Sequence, residues 1–268
     1  MGNFLGQPIL SVPVANVGRM AFLRLFVFLL LAPVLAVQAV RVRRATPRLP
    51  GAAGPTEGTI GAGVPMRVAV LGESTVDGVG APTHTEALTG RLAAALAKAV
   101  PGREVRWQAV GRTGASAQDV LRELVPRLQA ADVLVVALGV NDAMELHSAA
   151  RFRRDLLAIV VGVRRRLGDV PVVLAGVPPL GSFPALPRPL RDVLGARAAA
   201  LDQAARELTW LSGVSYVPFA PGLLHDGLFA EDRFHPGPAG YRTWAAALAE
   251  GLPAVTVSRH PGEPPPPI

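Results

Sequence analysis

The chain has 268 residues, half of them hydrophobic but only 5% aromatic, so a core has to be built from Ala, Val and Leu. It contains no cysteine, which excludes disulfides, thiolate nucleophiles and cysteine-bound metal. The net charge is +7, and every basic residue except Lys98 is arginine; the arginines are scattered and form no nucleic-acid-binding motif, so no nucleic-acid partner is expected.

From Leu25 to Val40 the chain is apolar apart from Gln38, with Arg19 and Arg24 before the run and Arg41, Arg43, Arg44 and Arg48 after it. As a helix this run spans about 24 Å against roughly 30 Å of hydrocarbon, a reach that snorkelling arginines extend. Residues 1–44 therefore read as a hydrophobic anchor or signal segment. Val37-Gln38-Ala39 suits signal cleavage, whereas the arginines that follow favour a cytoplasmic side. The expected location is at a membrane through this segment, or secreted after cleavage, and Met20 is a second candidate start. Residues 45–65 are rich in Pro, Gly, Ala and Thr and read as a linker. The Pro-rich residues 258–268 read as a disordered tail.

Between 66 and 257 apolar runs alternate with helical spacing. Strands are predicted at Arg67–Leu71, Glu104–Val110, Val133–Leu138, Pro171–Val177 and Val214–Val217. Helices are predicted at Thr85–Val100, Ala117–Leu128, Ala149–Leu167, Arg191–Leu211 and Pro238–Leu252. This order implies an α/β domain of three layers, α/β/α, around a mostly parallel five-stranded sheet, with ligands beyond the C-terminal strand ends.

Four polar segments fall at those ends. Ser74 follows the first strand across Gly72 and suits either a nucleophile or a helix cap. The loop from Ala109 to Ser116 holds two glycines whose N–H groups could face an anion. It could equally be a plain turn, and the lysine of a phosphate-binding loop is missing. Asn141, in Gly139-Val140-Asn141-Asp142, can donate its amide to an oxyanion or can cap a turn. Asp232 and His235 are three apart, a spacing at which the carboxylate can orient the imidazole as a base. Together they supply each part of an acyl-transfer site once.

In their order and spacing these segments resemble the SGNH hydrolases, or GDSL esterases and lipases, over roughly Arg67 to Leu252. The resemblance implies a flavodoxin-like fold and a Ser-His-Asp ester hydrolase without cofactor or metal, acting on a small ester or acylated substrate. It implies Ser74 as nucleophile, His235 as base and Asp232 as its orienter, with Gly114 and Asn141 in the oxyanion hole. The same triad would also serve an acyltransferase or a deacetylase of cell-envelope glycans, and a binding module without activity would keep the same fold. One departure stands out: the usual Gly-Asp-Ser reads Gly72-Glu73-Ser74. Asp142 reads as a cap or loop anchor rather than a second acid, and His147 as a residue near the site that could touch substrate or as a solvent-exposed residue at a helix start. Asp77 and Glu73 read as poor candidates for holding a cation, and His84, His225 and His260 show no ligand pattern.

Overall fold

A computed structural model describes residues 14–252, with side chains from Leu30 onward. Helix α1 (Val14–Ala45) falls in a unit of its own, Met1–Arg44, apart from Ala45–Ile268. It contains the apolar run expected to be an anchor, with Pro33 inside it. Among the described residues no helix is long and apolar enough to cross a membrane. The expected tail, 258–268, lies outside the described residues.

In chain order the second unit contains β1 (Glu57–Gly61), β2 (Val64–Gly72), α2 (Leu88–Ala99), β3 (Arg103–Gly111), a helical turn α3 (Ala117–Asp119) and β4 (Val133–Ala137). It continues with α4 (Val140–Met144), α5 (Ala149–Leu167), β5 (Val172–Ala175), α6 (Leu190–Arg206), β6 (Val214–Val217) and α7 (Pro238–Gly251). The sheet order is β1-β3-β2-β4-β5-β6, with every pair parallel except β1–β3.

The sheet thus has six strands where five were expected. The five predicted strands are present, and the sixth, β1, comes from the stretch read as a linker. Its sequence, Glu-Gly-Thr-Ile-Gly, carries little intrinsic strand signal. It becomes a strand because β3 would otherwise expose a bare edge, and Glu57 to Gly61 pair along Gln108 to Glu104. Gly58 is needed there, since a Cβ would come within 2.8 Å of the Trp107 ring. The helix predicted at Ala117–Leu128 also differs. After α3 it widens into a π turn (Val120–Leu124) and tightens into a 3-10 turn (Val125–Arg127), where Pro126 cannot continue an α-helix.

Alternation along the strands divides the core. Val68 and Val70 of β2, Val133 and Val135 of β4 and Val173 of β5 face Leu88, Leu92 and Leu96 of α2 and Tyr241, Trp244 and Leu248 of α7. The intervening Leu71, Leu134, Val136 and Leu174 are equally buried and point to the opposite face, which α5 and α6 cover, packed on each other. What positions the site is register: Gly72 lies opposite Gly111 on one side and Ala137 on the other. The loops after β2, β3 and β4 therefore leave the sheet from one edge.

Candidate active site

Ser74 sits two residues past the end of β2. Gly72 lets the end of β2 lie so close to β4 that a Cβ there would be 2.0 Å from the Ala137 carbonyl oxygen. Ser74 is buried, and its Oγ is 3.0 Å from His235 Nε2. His235 comes from the turn before α7, 161 residues away in sequence. That turn is built around Asp232. Its Oδ1 accepts the Phe234 and His235 backbone N–H groups, each at 2.9 Å, and its Oδ2 lies 2.6 Å from His235 Nδ1. Arg233 takes a left-handed conformation (φ 53°) to close the turn.

Burial pushes the Asp232 carboxyl up, but the hydrogen bonds from the His235 ring and from the two backbone N–H groups outweigh it, so the net shift is downward. An ionised Asp232 holds the proton of the imidazole on Nδ1 and leaves Nε2 to accept from the Ser74 hydroxyl.

Gly114 lies exposed in the loop after β3 in a left-handed conformation (φ 79°). Among the described residues no acceptor engages its N–H, nor that of Ser74. Asp77, set aside above as a poor cation ligand, ties the two loops together: its Oδ2 accepts from the Thr113 N–H at 3.1 Å and the Thr113 hydroxyl at 2.5 Å. Asn141 enters through α4, whose N-cap Gly139 has φ 125° and faces Val177 so closely that a Cβ would meet it at 2.8 Å. The Asn141 amide donates to the Ala115 carbonyl at 3.2 Å and to Glu73 Oε2 at 2.5 Å.

Beside Ser74 and His235 opens a pocket enclosing about 650 Å³ of empty space, its solvent-open mouth included. Phe183, Leu223, Leu228, Phe229, Phe234 and Trp244 form much of its wall. Phe234 meets both Phe183 and the His235 ring edge-on, each at 5.2 Å between centroids.

The sequence profile described as the GDSL-like Lipase/Acylhydrolase family matches residues 70–243. The chain belongs to this family. A GDSL-like esterase, Rv1075c, of Mycobacterium tuberculosis (strain ATCC 25618 / H37Rv) is 28% identical over 192 residues, covering 68% of this chain and 60% of that protein's length. Two crystal structures share the fold: the lipase Lip_vut3 from a goat rumen metagenome (TM-score 0.57, 14% identity, covering 70% of this chain and 97% of that one) and TesA (TM-score 0.57, 19% identity, covering 70% and 98%).

Glu73, which stands before Ser74, is buried, and its carboxylate is taken up by backbone and amide donors. Its Oε1 accepts the Val140 N–H at 2.9 Å, and its Oε2 accepts the Asn141 N–H at 3.0 Å besides the Asn141 amide. Burial pushes its carboxyl up to about 7, against the pull of the three N–H donors; nearby Asp142 adds to the rise. Asp142 is the loop anchor expected of it. Oδ2 accepts the Ala117 N–H at 2.9 Å, and Oδ1 lies 2.8 Å from His147 Nδ1. His147 is not a free solvent-exposed residue: its side chain is mostly buried, and Nε2 lies 3.1 Å from Glu145. Sequence reasoning also missed Tyr241, fully buried, whose hydroxyl donates to the Val79 carbonyl at 2.6 Å and ties α7 to the loop after Ser74.

Proposed function

We propose that the protein is a serine carboxylic-ester hydrolase, with Ser74 as nucleophile, His235 as general base and Asp232 as the residue that orients it. The observation that carries this reading is the unbroken chain from Asp232 through His235 to Ser74 Oγ, at 2.6 and 3.0 Å, on the rim of a pocket. Ser74 Oγ attacks the ester carbonyl as its proton passes to His235 Nε2. The N–H groups of Ser74 and Gly114 receive the negative charge on the former carbonyl oxygen, and the Asn141 amide joins them to the extent that it leaves its present acceptors, Glu73 and Ala115. His235 returns the proton to the departing alcohol, and a water deprotonated by His235 then releases the acid from Ser74.

The lining of the pocket supports an apolar acyl group as its occupant. Polar side-chain atoms come from Glu73, Ser74, Thr75, His235 and the Trp244 indole, too few to replace the hydration of a sugar ring. Hydrolysis of acyl esters is therefore favoured over deacetylation of glycans. For location, the arginines Arg41, Arg43, Arg44 and Arg48 after the apolar run support contact with an anionic lipid surface.

The test is hydrolysis of p-nitrophenyl butyrate by the full chain and by Ser74→Ala, with fluorophosphonate labelling of both. Expected are labelling of the native protein alone and loss of turnover in the variant at an unchanged Tm. Undiminished turnover in Ser74→Ala would sink the assignment.

A further inference from the structure

The Asn141 amide has two hydrogens, and both are occupied. One goes to the Ala115 carbonyl at 3.2 Å and the other to Glu73 Oε2 at 2.5 Å. While both contacts hold, the amide has no free hydrogen to offer an oxyanion. The carboxylate is not free to leave, because the Val140 and Asn141 backbone N–H groups hold it at 2.9 and 3.0 Å and the residue is buried. It also lines the pocket that Ser74 and His235 line, so its charge lies on the same side of the sheet edge as the reacting groups. An aspartate, the residue usual here by resemblance, would be shorter by one methylene, about 1.5 Å.

We propose that the Glu73 carboxylate competes with the oxyanion for the Asn141 side-chain amide, making Glu73 a positioning residue that sets how much of that donor the reaction can use. This rests on the reading of Ser74 as nucleophile. Competition is strongest while Glu73 is ionised, since a charged acceptor holds an N–H about twice as strongly as a neutral one and also repels the oxyanion. Among the described residues, Asp142 and Asn141 from α4 act on Glu73, and His235 lines the same pocket. With the Glu73 carboxyl titrating at about 7, the block tightens as pH rises through neutrality.

The experiment is a double-mutant cycle of Glu73→Asp and Asn141→Ala on p-nitrophenyl butyrate at about pH 6 and about pH 8.5. Rates are taken per active site titrated with a fluorophosphonate, so that misfolded protein does not count. Glu73→Asp is expected to raise kcat at the higher pH by about threefold or more with little change in KM, and Asn141→Ala to cost about tenfold more in that background than in the native one. Glu73→Gln, which keeps the length and removes the charge, is expected to abolish the alkaline decline in kcat, a readout that a purely structural role would leave unmoved. Additive costs in the cycle, or an alkaline decline in Glu73→Gln equal to that of the native protein, overturn the competition. If the native protein takes no label at all, the reading of Ser74 falls, and this inference with it.

Discussion

Asp232 commits both carboxylate oxygens: one to the two backbone N–H groups that shape its turn, the other to His235 Nδ1. Asp232→Asn would keep the turn through its carbonyl oxygen but would present an amide N–H to the imidazole. The proton would then move to Nε2, which could no longer accept from Ser74. On the proposed mechanism kcat falls by about 10³–10⁴ at nearly unchanged Tm, measured on p-nitrophenyl butyrate. Glu73 makes a prediction about stability as well. Its folded carboxyl lies at about 7, above the ordinary 4.5, so its contribution is fully present below 4.5 and lost as pH rises through about 7. The loss amounts to roughly 3 kcal/mol at the alkaline limit. Denaturant unfolding at about pH 5 and pH 8.5 should show a clearly smaller drop in Glu73→Gln than in the native chain; equal drops would refute the shift.

At the scale of elements, the segment before β2 is part of the domain. Besides the β1 ladder, the Ala52 N–H donates to the Asp77 carbonyl at 2.9 Å and the Ala53 N–H to the Pro82 carbonyl at 3.0 Å. This segment therefore straps the loop that leads away from Ser74. That loop is gripped from the other side by Tyr241, and Gly80 lets it pass so close to the His235 turn that a Cβ would lie 2.3 Å from the Pro236 carbonyl oxygen. A chain starting at Val64 loses β1 and the strap, bares the edge of β3 and uncovers Trp107. It should unfold at lower denaturant than one starting at Thr46, by about 2 kcal/mol or more. Tyr241→Phe leaves the buried Val79 carbonyl without its donor, and about 1–3 kcal/mol of stability should be lost in the same assay.

At the scale of the whole molecule, charge and core are divided unequally. Six arginines and no acidic residue precede Glu57, so the rest of the chain carries a net charge of only +1. The core lies in the unit Ala45–Ile268. If the N-terminal segment serves location alone, a chain starting at Thr46 should hydrolyse soluble esters with kcat within about twofold of the full chain, yet lose binding to vesicles of anionic lipid. Sedimentation with such vesicles measures the second property. Retention of binding by the shorter chain would move the lipid contact onto the catalytic unit.

The sequence by itself determined the parts of this molecule that rest on local rules. Continuous apolar runs marked the central strands β4 and β5, which are buried on both faces, and shorter apolar stretches marked the other parallel strands. The separation of Asp232 and His235 by three residues showed one turn holding both, and the motif at each strand end gave the order of the site. The tertiary structure alone decided what depends on pairing between distant residues. Strand β1 exists because β3 offers it an edge, which nothing in Glu-Gly-Thr-Ile-Gly announces. Glu73 reaches Asn141 across 68 residues, and Asp77 reaches Thr113 across 36, because β2, β3 and β4 end in register. Burial leaves a periodic trace along the chain, whereas a single long-range hydrogen bond leaves none. The residues that set the availability of the Asn141 amide therefore became visible only once the sheet had brought them to one edge.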